Sequence, residues 1–377
     1  MSLFYLFSDP SEWRTLGNAL GLAPYQATAG YSRAGTFRHM KRALGLPAAA
    51  HPPSFNDWLY GRWRDVEVLL GIYCVGSGRN RSWYTAVSAR IDPPLFLGLG
   101  VYDKPFLELF HDPPFLTGIP LLDQNLRISA FDTRRALRFL NPNAPEMSDF
   151  WQRVIANIDS LSITDSIVTF TSRGRVVDLS IRPQLDLVTY LASFLGQRRA
   201  QLGWTEAEAA QQAEWQRFAD ENRLSFDKQR MMLIGDYKGA HTKIALETAG
   251  KHIGSSINVR FPQPVNVSFS IRRTRLGFLS GLFEQDITIG DPLFDDQYQV
   301  TGYPEQHVRH VLAKPVLLQT LKNLGSATTD VQLNSRELYF RLSDPLMTTT
   351  SLASVCETGH IACASFFGEV QGIGPYR

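Results

Sequence analysis

The chain has 377 residues, 44% hydrophobic and 20% charged, with 38 basic against 36 acidic side chains and three cysteines. This composition excludes a disordered or collagen-like chain, and the length suits two domains, each burying its own core. A net charge of +2 gives no pull toward nucleic acid or an anionic membrane, and so few cysteines point to a reducing, cytoplasmic setting.

The opening residues, MSLFYLFSDP, hold an apolar run without the basic region or cleavage site of a signal peptide. No stretch reaches the roughly 18 apolar residues that a membrane span needs. Trp13 to Leu22 reads as a helix. The following residues, about 23–56, read as an insertion, and the Leu46-Pro47 to Pro52-Pro53 run within it reads as an exposed connector.

From Leu59 onward the chain matches a later part of itself. Leu59-Tyr60-Gly61-Arg62-Trp63 faces Leu233-Ile234-Gly235-Asp236-Tyr237, and Ala89 to Leu95 faces Val259 to Val265. Gly118 to Asp123 faces Gly290 to Asp295, Phe131 meets Tyr303, Leu140 meets Leu312, and Tyr190–Phe194 meets Ser351–Val355. The matches keep their order while the offset drifts slightly, as loop insertions produce. An internal duplication follows.

Each copy reads as the same string of elements. Val66–Tyr73 and Tyr237–Leu246 begin it as strands. Val87, Ala89 and Ile91 alternate with polar residues, as do Ile257, Val259 and Phe261, and each run ends at a proline-containing turn. Val265, Val267, Phe269 and Ile271 form a further alternating run, followed by strands at Asn125–Ser129 and Gln297–Thr301. Asp132–Leu140 and Pro304–Leu312 have helical spacing, with Pro304 suited to a first turn. Ser160–Thr164 with Ser166–Thr171, and Asp330–Asn334 with Glu337–Leu342, read as hairpins. Gln184–Leu195 and Met347–Thr358 close the units as helices.

Between the copies, Thr205 followed by Glu208 is a capping-box signature for a helix over 205–222. The domain reading is therefore 1–203 for the first unit, 204–365 for the second with its leading helix, and 366–377 for a glycine-rich tail. The fold class is α+β: two tandem homologous units, each a mainly antiparallel sheet with two or more helices, packed as a pseudo-dimer.

Motifs that carry chemistry are sparse. No P-loop, HExxH, GxSxG or GxGxxG is present. Gly76-Ser77-Gly78-Arg79-Asn80-Arg81 is a hairpin loop or, with Arg79 and Arg81 beside free N–H groups, an anion-binding loop. Cys356, His360 and Cys363 have ligand chemistry and close spacing for a metal, but a second ligand pair is lacking, and Leu195 matches Cys356 in the other copy. Small core residues are the simpler reading, and no cofactor is called for. His307 and His310 match Arg135 and Arg138, so a solvated helix face is expected there, with anion or partner contacts through Arg135, Arg138 and Arg309 as the alternative.

Arg90 with Arg260, and Asp123 with Asp295, are polar identities shared by both copies. A repeated salt bridge, an aspartate capping its own turn, and a duplicated ligand site all remain open for them. Residues 285–340, with Ile287-x-x-Gly290-Asp291-Pro292-x-Phe294-Asp295, resemble a recurring segment of bacterial proteins of unknown function. That resemblance implies a bacterial cytosolic or membrane-associated protein and brings no catalytic residues.

The expectation for function is a non-enzymatic protein-binding or structural-assembly protein, with a protein partner or self-association. The alternative is an enzyme with a site in the cleft between units, drawing on residues such as His39, His51, His111, Asp112 and Asp286. Nucleic-acid binding through Arg272, Arg273 and Arg275 is the third reading, and those arginines more simply end a strand in water.

Overall fold

The computed structural model describes residues 10–24, 50–51, 58–75, 82–103, 116–118, 120–141, 144–249, 252–273, 287–324, 328–333 and 336–370. Its main division into two compact units falls between Gly203 and Trp204. The first unit contains strands β1 (Ala23–Pro24), β2 (Ala50–His51), β3 (Trp58–Trp63), β4 (Val66–Val75), β5 (Ser82–Arg90), β6 (Gly100–Asp103), β7 (Leu126–Ser129), β8 (Leu161–Thr164) and β9 (Ile167–Arg173). Its helices are α1 (Pro10–Leu20), α2 (Pro120–Asn125), α3 (Thr133–Leu140), α4 (Pro145–Ala156) and α5 (Arg182–Gln201).

The second unit contains α6 (Glu206–Asn222), β10 (Ser225–Asp227), β11 (Met232–Tyr237), β12 (Ala240–Ala249), β13 (His252–Arg260), β14 (Ser268–Arg273) and α7 (Pro292–Gln297). It continues with β15 (Tyr298–Tyr303), α8 (Glu305–Leu312), α9 (Pro315–Leu324), β16 (Thr328–Leu333), β17 (Glu337–Leu342) and α10 (Thr349–Val370).

Both sheets have one topology. The strand order is β1-β3-β4-β5-β9-β8-β6-β7 in the first and β10-β11-β12-β13-β17-β16-β14-β15 in the second, with β2 added beside β4. Registers repeat as well as order. Val87 stands opposite Phe170, and Ile257 opposite Phe340; Gly100 stands opposite Ser129, and Ser270 opposite Thr301. One pairing differs: Gly100 faces Thr164, whereas Ser270 faces Gln332, a two-residue slip relative to the matched chains. A slip of two keeps every side chain on its own face, so the core tolerates it.

The leading helices match too. Trp13, Leu16 and Leu22 correspond to Trp215, Phe218 and Leu224, all buried. Each helix ends with the same closing bond, Leu22 N–H to the Gly17 carbonyl at 2.8 Å and Leu224 N–H to the Ala219 carbonyl at 2.9 Å. The residue before that bond is left-handed in both, Gly21 at φ 68° and Arg223 at φ 56°. Thr205 and Glu208 form the expected capping box. Because the matched leading helices are further apart in sequence than the matched strands β3 and β11, the extra residues of the first unit lie between β1 and β3. That is the stretch read as an insertion.

The inner sheet face carries the core. In the first unit Leu70, Ile72, Val87 and Val168 pack beneath Val188, Leu191 and Leu195 of α5, with Phe150 and Val154 of α4 beside them, all fully buried. In the second unit Ile257, Val259 and Phe340 hold the places of Val87, Ala89 and Phe170, and Gly359 of α10 approaches so closely that an added Cβ would lie 3.0 Å from Val259 and 3.1 Å from Phe340. The opposite sheet faces have diverged. Trp58, Tyr73 and Ala86 form a buried apolar cluster in the first unit, where Tyr73 stacks on Tyr84 at 5.3 Å. Ser256, Ser270, Gln332 and Arg341 are among the buried residues described on that face in the second unit.

Several expectations need correction. Helices α4 and α9 were not among the expected elements; their prolines at the first turn start them, and Met147, Phe150, Trp151 and Val154 form an unbroken buried stripe. Val265 and Val267 alternate in burial with Asn266 but precede the strand, which starts only at Ser268. Pro304 is the N-cap of α8 rather than its first residue. Helix α10 continues to Val370, so residues 366–370 are its end and not the start of a tail.

Asp123 and Asp295 resolve one of the open alternatives. Asp123 accepts from Thr117 N–H at 2.7 Å and Gly118 N–H at 3.0 Å; Asp295 accepts from Ile289 N–H and Gly290 N–H, both at 3.0 Å. Each carboxylate ties down the turn that leads into its own short helix. Replacing either with Ala strands two N–H groups of a tight turn, and Asn keeps a single acceptor oxygen. Asp123→Ala and Asp295→Ala should each lower unfolding free energy by about 1–3 kcal/mol, with the Asn variants losing less, as read by urea denaturation.

Candidate functional site

Three groups of side chains could carry function, and each is placed by a repeated element. The first is the exposed face of α3 and α8. On α8, Glu305, Gln306, His307, Arg309 and His310 are exposed while Val308, Val311 and Leu312 are buried, which is the expected solvated face. Arg309 is held by Glu305 one turn earlier at 2.8 Å, an exposed pair of small energetic worth. Ile289, Glu305, Gln306, Arg309, His310 and Ala313 line an open depression of about 580 Å³.

On α3 the outcome differs. Arg138 is exposed, but Arg135 is only 7% exposed, because its guanidinium donates to the Gly203 carbonyl at 2.8 Å. The matched pair Arg135 and His307 therefore does different work: one locks the end of the first unit, the other stands in water. Arg90 and Arg260 also part company. Arg90 pairs with Glu67 at 3.0 Å, whereas Arg260 stands opposite Glu337, whose carboxylate accepts from Asn258.

The second group is Cys356, His360 and Cys363 on α10. Both thiols are buried in the core, and burial, with Glu357 adding to it, pushes the Cys356 thiol up to about 12. Burial raises the Cys363 thiol as well. Metal binding and nucleophilic attack both need the thiolate, which these surroundings disfavour. Among the described residues no three His, Cys, Asp or Glu side chains converge as a metal site. Cys74 is buried and unbridged like the other two. All three thiols should resist Ellman's reagent in native protein near pH 8 and react stoichiometrically in guanidinium; rapid native labelling of Cys356 or Cys363 would contradict the burial argument.

The third group had no signal in the sequence. Asp165 sits in the turn between β8 and β9, is 1% exposed, and accepts three N–H bonds: from Leu97 at 3.1 Å, Gly98 at 2.7 Å and Leu99 at 2.8 Å. Burial raises its carboxyl to about 6, with the three N–H groups and the buried Arg199 guanidinium pulling the other way. Tyr102 on β6 is raised by its own burial and by the Asp165 charge. An aspartate between two strands reads as an ordinary turn residue, so nothing in the sequence marks its burial.

Other sequence candidates lie outside the described residues: Arg79, Arg81, His39, His111, Asp112, Asp286 and Arg275. For His51, Arg272 and Arg273 the backbone alone is described, in β2 and β14.

Comparison with known proteins adds little. No family model and no curated protein matches the chain. Among solved structures, 45% of this chain is similar to 98% of the mycobacterial trehalose monomycolate transport factor A, TtfA, at 12% sequence identity and a TM-score of 0.30. A likeness at that level carries no argument about function. Among the described residues, no helix is long and apolar enough to cross a membrane.

Proposed function

We propose that this chain is a non-enzymatic binding or assembly protein whose partner is a protein. The observation that supports the reading is that, of the four most exposed large apolar side chains among the described residues, Leu116 belongs to the first unit and the other three to the second. Leu293 is 71% exposed, Tyr303 75% and Val316 60%, and the chain between them lines the depression beside α8. Phe131, which matches Tyr303, is also exposed in the first unit. Isolated exposed apolar residues are ordinary, and it is the recurrence of an exposed aromatic at the matched positions 131 and 303, with Leu293 and Val316 exposed as well, that favours a contact surface.

The polar groups repeated in both units support the same reading. Asp123 and Asp295, the polar identity whose contacts recur in both units, are spent on backbone N–H groups of their own turns. Such groups build a scaffold.

A photo-crosslinking amino acid placed at position 293 or 303 of the full chain tests the proposal in cells. Discrete protein adducts from these positions, absent from a control at the exposed Glu206, are expected; adducts of twice the chain mass would identify self-association. No adduct from either position would overturn it. In parallel, any oligomer seen by light scattering should be weakened at least tenfold by the combined substitution Leu293→Ser, Tyr303→Ser and Val316→Ser, since each side chain is exposed and its loss leaves the core intact.

A further inference from the structure

Helix α3 contains three arginines and no acid. Arg135 turns inward to the Gly203 carbonyl, while Arg134 and Arg138, one turn apart, both stand in water. Among the described residues neither of the two makes an ion pair or a hydrogen bond to a carboxylate. Other helices handle their arginines differently: Arg153 on α4 and Arg309 on α8 each sit on a carboxylate one turn away, at 2.9 Å and 2.8 Å. The acids nearest α3 in the sequence are already committed. Asp132 caps the helix by accepting from Arg135 N–H at 3.0 Å, and Glu146 pairs with Arg198 at 3.0 Å.

This arrangement works against the helix itself. Like charges one turn apart repel, and Arg134 in the first turn meets the positive end of the helix dipole, where an acid would stabilise. Two local electrostatic conflicts on one exposed face mark charges that are satisfied from outside the helix. Beside that face Phe131 is 42% exposed yet fixed in place. Its N–H bonds to the Leu97 carbonyl at 2.9 Å, and its ring lies over Gly98, where an added Cβ would come within 2.4 Å of it. A rigid aromatic next to arginines is the composition of a binding hot spot.

Helix positions four apart hold their Cβ atoms about 5–6 Å from each other, and each guanidinium fork accepts a carboxylate along two parallel bonds. Carboxylates two residues apart on one side of an extended chain, about 7 Å, come close to that spacing. We propose that the exposed face of α3, with Phe131, docks an acidic segment of the partner protein: two carboxylates engage Arg134 and Arg138, and an apolar side chain meets the Phe131 ring. The assignment rests on the reading of this chain as a protein-binding one and adds the chemistry of the partner. A short acidic segment fits better than a polyanion, because 38 basic against 36 acidic side chains give the chain no broad positive field for nucleic acid or an anionic membrane. The second unit lacks the face. Gln306 and His310 stand at the positions matching Arg134 and Arg138, and the nearby Arg309 is held by Glu305.

Fluorescence anisotropy on the full chain tests this, with a fluorescein-labelled peptide of alternating Glu and Leu as the probe. The wild type should bind it, and affinity should fall about tenfold or more in the double variant Arg134→Glu with Arg138→Glu, as it should for the same peptide carrying Gln in place of Glu. Arg14→Glu with Lys228→Glu makes the same change of charge at exposed positions elsewhere and should bind as the wild type does. All four substituted side chains are exposed, so both variants should keep the far-ultraviolet circular dichroism of the wild type. No binding by the wild type, no loss in the α3 variant, or equal loss in both variants would overturn the proposal. Tighter binding of an oligonucleotide or of phosphatidylserine vesicles, lost in the same α3 variant, would overturn the choice of a protein segment. None of these outcomes alters crosslinking from positions 293 and 303, so this assignment and the reading beneath it fail separately.

Discussion

Each sheet depends on one long-range pairing. The strands β1, β3, β4 and β5 form one meandering half, and β9, β8, β6 and β7 the other; β5 against β9 is where they join, as β13 against β17 is in the second unit. The partners lie far apart in the sequence, Val87 opposite Phe170 and Ile257 opposite Phe340, so joining them closes a long loop against chain entropy. What offsets that cost is burial on both sides of the joint. Inner-face residues such as Val87, Ala89 and Val168 go beneath the last helix, and on the reverse face Ser88 and Thr169 share a hydroxyl hydrogen bond at 3.0 Å.

The closing helix of each unit belongs to this same constraint. It lies over the joint, where α5 supplies Leu185, Val188, Leu191 and Leu195 and α10 supplies Leu352 and Cys356. The sequence match that sets Leu195 against Cys356 therefore compares two core positions. A thiol in a leucine's place fills less volume and remains protonated there, which explains its chemical quietness without reference to a metal.

How much of this was legible follows from which physical signals are local. Strand β5 and hairpin β16–β17 announce themselves because apolar residues on the inner face alternate with small or polar ones on the other, a period of two that survives although both faces of β5 are buried. Capping boxes are local as well, and Thr205 with Glu208 marked α6 to the residue. The stripe of α4 was equally legible, at Met147, Phe150, Trp151 and Val154 behind a proline at the first turn, although α4 was not among the expected elements. The alternation at Val265 and Val267 misled in the opposite direction. A period of two records an extended chain over a core, and a ladder needs a neighbouring strand in reach as well. Asp165 was illegible for a deeper reason: its burial is set by Leu97, Gly98 and Leu99, more than sixty residues away, and Arg135 is turned inward by a carbonyl at Gly203.

The two copies also separate what a duplicated fold must keep from what it can spend. The inner faces keep apolar residues at matched positions, because both cores fail without them. The reverse faces differ in residue type: Trp58, Tyr73 and Ala86 are buried there beside Ser88 and Thr169 in one, and Ser256, Ser270, Gln332 and Arg341 in the other. Burying arginine and glutamine costs free energy that their partners must offset; Glu247, which accepts from Tyr339 and lies 3.8 Å from Arg341, is one of them. The two copies keep one strand order and closely matched registers while the residue types of their reverse faces differ, as at Ala86 and Ser256.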